Sequence, residues 1–253
     1  MKIDQDVKDF LSKNKNLINK SDFTSLYELA SKERFYGESI SQMTYLFYEI
    51  GIDPLQYMNF IPETFALNLN LPITTINIPD NIESIYPRAF EHTNAVKVIA
   101  PANLKTAPLF AISWAFADCD DLIEADFSKC HSYEEIDKYL FANCSKLKII
   151  KFPENLYSIR LGAFQRCKSL TSIDLSNYHK LTSIGPFAFS QCENLTSIYL
   201  PNSIEEIKSR AFDTGKPITI KFDGTQQEWE DKFGTENNWR TWTKAKIDIQ
   251  YLR

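Results

Sequence analysis

Two sets of residues in this chain have the types from which chemistry is made. Five cysteines (Cys119, Cys130, Cys144, Cys167, Cys192) accompany three histidines (His92, His131, His179), the ingredients of a thiol nucleophile and its base. Glu124 and Asp126 lie two apart, so a strand containing both would present them on one face, as acid/base work or calcium binding would need. Zinc would draw on the cysteines, but its ligands usually come as close C-x-x-C pairs, and none is present. A phosphate cradle has no candidate either: G-x-G-x-x-G and G-x-x-x-x-G-K-[ST] are absent, and Gly215-Lys216 runs into Pro217.

The spacing of the cysteines points away from catalysis. Cys119, Cys144, Cys167 and Cys192 each stand three residues after a phenylalanine (Phe116, Phe141, Phe164, Phe189) and three before a leucine (Leu122, Leu147, Leu170, Leu195). Cys130 falls where Tyr178 sits in a later unit. A residue that recurs with a fixed period answers a structural need that recurs with it. The cysteines are therefore expected to be structural free thiols. Glu124 and Asp126, with no His, Gly or apolar pocket signal around them, read as a solvated acidic patch. No catalytic residue, no metal and no cofactor is expected.

The period itself sets the architecture. The phenylalanines Phe90, Phe116, Phe141, Phe164, Phe189 and Phe212 follow one another at intervals of 26, 25, 23, 25 and 23 residues. GAFQRCKSLTSIDL (from Gly162) and FAFSQCENLTSIYL (from Phe187) agree at eight of fourteen positions, none of them charged. Each leucine opens a segment such as LTSIDL, LTSIYL, LKIIKF or LIEADF, whose second half alternates as a strand with one buried face does. A second apolar pair follows, for example Leu156 and Ile159 or Ile204 and Ile207. Each unit thus predicts one turn of a coil, with a strand on one side and a return path on the other. Such a unit is too small to bury its own apolar side and must stack on its neighbours. A small, weakly donating thiol suits a coil corner, where it can satisfy a backbone carbonyl.

This pattern, I-P-x-x-I-x-x-I-x-x-x-A-F-x-x-C-x-x-L-x-x-I-x-L, written here as LPNSIEEIKSRAF and GAFQRCKSLTSIDL, resembles the BspA-type leucine-rich repeat over about residues 61–222. In the opening unit, IPETFALN, Phe65 is assigned to the Phe position and Asn68 to the cysteine position. The resemblance implies an α/β fold: a right-handed solenoid with a parallel sheet on its concave face, and a role in protein binding or adhesion. NLKTAPLFAISWAF lengthens one return path by about four residues, which predicts a local bulge.

Both ends need covers. Residues 1–60 form an N-terminal helical region: Ile3, Val7, Phe10 and Leu11, then Leu26 and Ala30, then Ile40, Met43, Phe47 and Ile50 fit two or three helices ending at Gly51. They cap the first coil or form a binding module of their own. Residues 223–253 form a C-terminal cap, with a capping box at Thr225–Glu228, Trp229 and Phe233 on one helix face, and Ile247 and Ile249 in a last strand.

Lys and Arg total 28 against 33 Asp and Glu, a net charge of −5, and the cations are scattered singly, which argues against nucleic acid. No apolar stretch is long enough to cross a membrane, the charged start MKIDQDVKDFLSKNKN is unlike a signal peptide, and the odd cysteine count suits a reducing compartment. A cytoplasmic protein with a protein partner is the expectation. The outward strand positions form two columns. One reads Asn77, Ile99, Asp126, Lys151, Asp174, Tyr199 and Thr219; the other reads Thr75, Lys97, Glu124, Ile149, Ser172 and Ser197. Their mixture of apolar anchors and charges suits a protein interface. The expected partner-binding residues are Asn77, Lys97, Ile99, Glu124, Asp126, Ile149, Lys151, Asp174 and Tyr199. Short arrays of this kind with a helical front end resemble those of phage and mobile elements, so an inhibitor of a host factor is one expectation. The alternatives are a BspA-type surface adhesin and an enzyme with an unrecognised site.

Overall fold

The computed structural model describes residues 3–69, 74–105, 112–234 and 246–253. Four helices open the chain: α1 (Gln5–Lys13), α2 (Lys15–Asn19), α3 (Phe23–Lys32) and α4 (Glu38–Glu49). Among the described residues a short 3-10 turn (Pro54–Tyr57), fourteen short strands and a further α-helix, α5 (Gln226–Phe233), follow. The strands are β1 (Phe60–Ile61), β2 (Thr75–Asn77), β3 (Ser84–Ile85), β4 (Lys97–Ile99), β5 (Glu124–Asp126), β6 (Glu135–Ile136), β7 (Ile149–Lys151), β8 (Ser158–Ile159), β9 (Ser172–Asp174), β10 (Ser183–Ile184), β11 (Ser197–Leu200), β12 (Glu206–Ile207), β13 (Ile218–Phe222) and β14 (Ile247–Tyr251). All pairings between them are parallel, and the whole is a solenoid of about seven turns.

The recurring apolar letters lie inside. Phe90, Phe116, Phe141, Phe164, Phe189 and Phe212 are buried, and each ring stacks on the next at 5.3 to 6.0 Å between centroids. The thiols bind the coils together: Cys119, Cys144, Cys167 and Cys192 donate to the carbonyls of Phe90, Phe116, Phe141 and Phe164 in the preceding coil, at 3.0 to 3.2 Å. Thr93, three after Phe90, stands at the cysteine position one coil earlier. Its hydroxyl lies 2.9 Å from the Phe90 carbonyl and 3.3 Å from the Cys119 thiol.

The Phe corners from Phe90 to Phe189 each turn through two residues in the left-handed region. Trp114 and Asp118 flank Phe116, Tyr139 and Asn143 flank Phe141, and Gly162 and Arg166 flank Phe164, all near φ +60°. This pattern shifts the opening coil by one residue from its expected register. The left-handed residues there are Thr64 and Asn68, and Ala66 donates to Ala89 as Phe90 donates to Ala115. Ala66 therefore occupies the Phe position and Leu69 the cysteine position. Asn68 takes the left-handed place that asparagine tolerates well. Phe65 still reaches the interior and lies 5.8 Å from Phe90.

The return path is itself stranded. β6, β8, β10 and β12 form one ladder, and β1 pairs with β3. On the opposite side, β2-β4-β5-β7 and β14-β13-β11-β9 are two separate four-stranded ladders. The seven-strand continuity expected of this face breaks between β7 and β9. Ile150, the inward residue of β7, is only half buried where Val98, Ala125, Ile173 and Ile198 are buried. β7 spreads apolar surface to both its sides, because Ile149 faces outward next to it. Of the stretch 103–116 in which a bulge was expected, residues 106–111 lie outside the described residues.

Four helices stand where two or three were expected, because five-residue α2 is too short to show a helical period. Ile50 is exposed beyond the end of α4, and Gly51 closes that helix at φ +78°. Tyr27 of α3 lies 5.5 Å from Phe65, so one apolar interior runs from Val7 to Trp229. At the other end the Thr225–Glu228 capping box is formed, and Trp229 is buried between Phe222 and Phe233.

Candidate binding face

The candidate face is built by strand register. The first outward column runs Asn77, Ile99, Asp126, Lys151 across β2, β4, β5 and β7, and the second runs Thr75, Lys97, Glu124, Ile149. Across β9, β11 and β13 the columns continue as Asp174, Tyr199, Lys221 and as Ser172, Ser197, Thr219. Thr219 thus stands beside Ser197 rather than Tyr199, and Lys221 takes the expected place of Thr219. The step from Tyr199 to its strand neighbour is 22 residues, two more than the 20 that would put Thr219 there.

The charges on the first ladder pair with one another. Lys97 Nζ lies 3.0 Å from Glu124 Oε1, and Lys151 Nζ lies 3.2 Å from the same oxygen and 2.8 Å from Asp126 Oδ2. Lys97 first, then Lys151, hold the Glu124 carboxyl below its ordinary range. For Asp126 burial pushes upward, but Lys151 and Ser128 outweigh it and the net shift is down. Asp126 also closes a tight turn, accepting from the Ser128 amide at 3.0 Å and its hydroxyl at 2.6 Å. Asp174 repeats this turn with Ser176 at the same distances. Both aspartates are shared between turn and face. Ile149 is 47% exposed at the edge of this neutralised network.

On the second ladder Tyr199 is the large outward side chain. Its hydroxyl accepts from Lys221 Nζ at 2.6 Å, and the same ammonium lies 4.5 Å from the ring centroid. Ser172, Ser197 and Thr219 beside it carry small hydroxyls. Of the nine expected partner-binding residues, the structure brings Lys97, Glu124, Asp126 and Lys151 into one network and keeps Ile99 and Ile149 in contact register with it. Asp174 and Tyr199 stand on the separate ladder, and Asn77 is exposed at the start of its column.

Catalytic chemistry finds no support in the thiols. All five cysteines are buried, the histidines are exposed, and Cys130 donates to the Pro101 carbonyl as the other four donate to Phe carbonyls. Burial pushes Cys130 and Cys192 up to about 12 and Cys144 and Cys167 well above the ordinary thiol value; Cys119 is drawn down by its hydrogen bond with Cys144, but it is fully buried and engaged by the Phe90 carbonyl and Thr93. Among the described residues one cluster has metal-ligand types: Glu91, His92 and Asp118. Arg88 Nε binds Glu91 at 2.5 Å and Asn143 Nδ2 donates to Asp118 at 2.8 Å, so both carboxylates are already engaged. No helix among the described residues is long and apolar enough to cross a membrane.

Residues 60–176 and 112–233 match the family model described as "BspA type Leucine rich repeat region", in six copies. A comparison with curated proteins found no match. Among solved structures, the chain is similar to a leucine-rich repeat protein of T. pallidum (25% identity, TM-score 0.47, covering 72% of this chain and 81% of that one). It is also similar to a leucine rich cell surface protein of Faecalibacterium prausnitzii (19% identity, TM-score 0.46, 76% of this chain and 65% of that one). A leucine-rich repeat protein of Bacteroides ovatus is another (18% identity, TM-score 0.45, 78% and 59%). This chain spans less than two thirds of the last two.

Proposed function

Because this chain belongs to the BspA-type leucine-rich repeat family, we propose that it is a non-enzymatic protein-binding module that scaffolds or inhibits a protein partner through its outward strand face. The observation that carries this reading is the first ladder. An exposed isoleucine, Ile149, borders a set of charges held in place by one another, and Ile99 stands on the same ladder. Side chains already fixed lose little freedom on binding, and a net-neutral network can be covered without stranding a charge. Tyr199, pinned by Lys221, offers a second aromatic anchor. Five buried thiols suit action in a reducing compartment.

The test is capture of partners from the native host by the intact protein, compared with Ile149→Asp and with a Tyr199→Ala/Lys151→Ala double variant. The expected outcome is a specific partner retained by the native protein and lost by both variants at unchanged melting temperature. Identical capture by all three proteins would remove the strand face from the proposal.

A further inference from the structure

Away from the strand face, a cleft of about 810 Å³ opens between the helical region and the first coil. Its walls come from α3, the α3–α4 connection, β1 with the turn after it, and β3. Four aromatic rings line it: Phe35 and Tyr36 from the helical side, Phe60 and Tyr86 from the coil. Tyr36 is 65% exposed, and Phe60 packs edge-on against Tyr86 at 5.6 Å. The four rings gather aromatic surface around one cavity.

Acidic groups outnumber basic ones in the cleft. Glu28, Glu63 and Glu83 line it against the single cation Lys32. Glu83 is engaged by Lys105 at 2.6 Å, whereas Glu28 and Glu63 form no ion pair among the described residues. Aromatic faces with nearby carboxylates are the setting in which a lysine or arginine side chain gains both a cation–π contact and an ion pair.

We propose that this cleft binds a lysine- or arginine-bearing segment of a protein partner, with a basic side chain set between the aromatic rings and Glu28 and Glu63. A second copy of this chain is the poorer occupant, since each copy carries a net charge of −5 and would bring like charge to an acidic cleft. The site is independent of the strand face, and a partner that engaged both would gain from the linkage.

The experiment is fluorescence anisotropy of a labelled short peptide of alternating lysine and valine against the full chain, with the same peptide carrying glutamate for lysine as its control. The lysine peptide is expected to bind, with affinity that falls as salt rises, and the glutamate peptide is not. The double variant Glu28→Gln/Glu63→Gln is expected to bind the lysine peptide about tenfold more weakly. Tyr36→Ala, at a largely exposed position, weakens it without lowering the melting temperature. Ile149→Asp leaves the peptide affinity unchanged, which separates this cleft from the strand face. Equal binding of both peptides, or undiminished binding by the Glu28→Gln/Glu63→Gln protein, overturns the proposal.

Discussion

Phe90 to Phe212 repeat one ring six times, each within 18° of parallel to the next, whereas the outward column Asn77, Ile99, Asp126, Lys151 changes chemistry at every step. The two rows are set by the same backbone period. Inside, every position has the same neighbours above and below, so the solution that works once works again. Outside, each side chain is satisfied by whichever residue the adjacent strand supplies: Lys151 by Glu124 and Asp126, Tyr199 by Lys221. Interior order is therefore cooperative along the whole stack, and exterior order is local. Substitutions in the two rows should differ in size and in reach.

The largest effect is expected in the ring row. Phe164 is fully buried and touches Phe141, Phe189 and Phe152 at 5.6, 5.3 and 5.9 Å. Phe164→Ala should cost about 3 to 5 kcal/mol, read from denaturant titration, because the coils above and below cannot close on the void. A loss below about 1 kcal/mol would show that the stack is not shared between coils.

A buried carboxyl gives the next effect, and it carries a sign. Asp137 accepts a hydrogen bond from the Tyr133 hydroxyl at 3.0 Å, with Arg160 Nη1 at 3.9 Å. Burial first, with Glu135 adding, pushes its carboxyl up to about 6 from the ordinary 3.8, against the pull of Tyr133 and Arg160. Between these two values the folded state holds a proton that the unfolded state has released, so the contribution of Asp137 is fully present below about pH 4 and is lost as pH rises through about 6. Relative to Asp137→Asn, the native protein should lose about 2 to 3 kcal/mol of stability over that window. A flat difference between the two proteins across the window would contradict the burial assigned to this group.

The thiols come third, and they link the comparison to the sequence. Cys167→Ala removes the bond to the Phe141 carbonyl and a small buried volume, expected to cost about 1 to 2 kcal/mol. In the folded protein none of the five thiols should react with an alkylating reagent near pH 8, and all five should react on unfolding. This role was readable from spacing alone, since four cysteines fall at one offset from four phenylalanines. The Phe, Leu and Ile period, the capping box at Thr225 and the burial of Trp229 were readable in the same way, because each repeats or obeys a local rule.

What escaped the sequence has a common cause. In IPETFALN the order Phe-Ala reverses the Ala-Phe of later units, and matching rings to rings misplaces the coil by one residue. The better signal was Asn68, a residue type suited to the left-handed place. Thr93 was hidden because a hydroxyl stands at the thiol position there and turns to the Phe90 carbonyl of its own coil. The break between β7 and β9 leaves no mark in the period, since Ile149-Ile150-Lys151 alternates much as its neighbours do. The acidic aromatic cleft joins α3 to β1 and β3, elements outside any repeat, so spacing could not bring Glu28 and Glu63 together. The columns of the strand face were readable except at Thr219, which falls two residues short of the register partner of Tyr199.

The smallest effect sharpens the comparison from the outer side. Tyr199 holds Lys221 by a hydrogen bond to its hydroxyl and by the ring face, and both contacts are exposed enough to compete with water. Tyr199→Ala should cost less than about 1 kcal/mol, and a double-mutant cycle with Lys221→Ala should return a coupling of about 0.5 to 1 kcal/mol. Tyr199→Phe divides that coupling, since it keeps the ring under the ammonium and removes only the hydroxyl. Because exterior satisfaction is pairwise, none of these changes should alter the cost of Phe164→Ala in the same protein. A Tyr199→Ala loss that approached the Phe164→Ala loss, or one that depended on it, would mean that the outward row is tied into the stack after all, and that strand-face side chains are fixed by folding rather than left available to a partner.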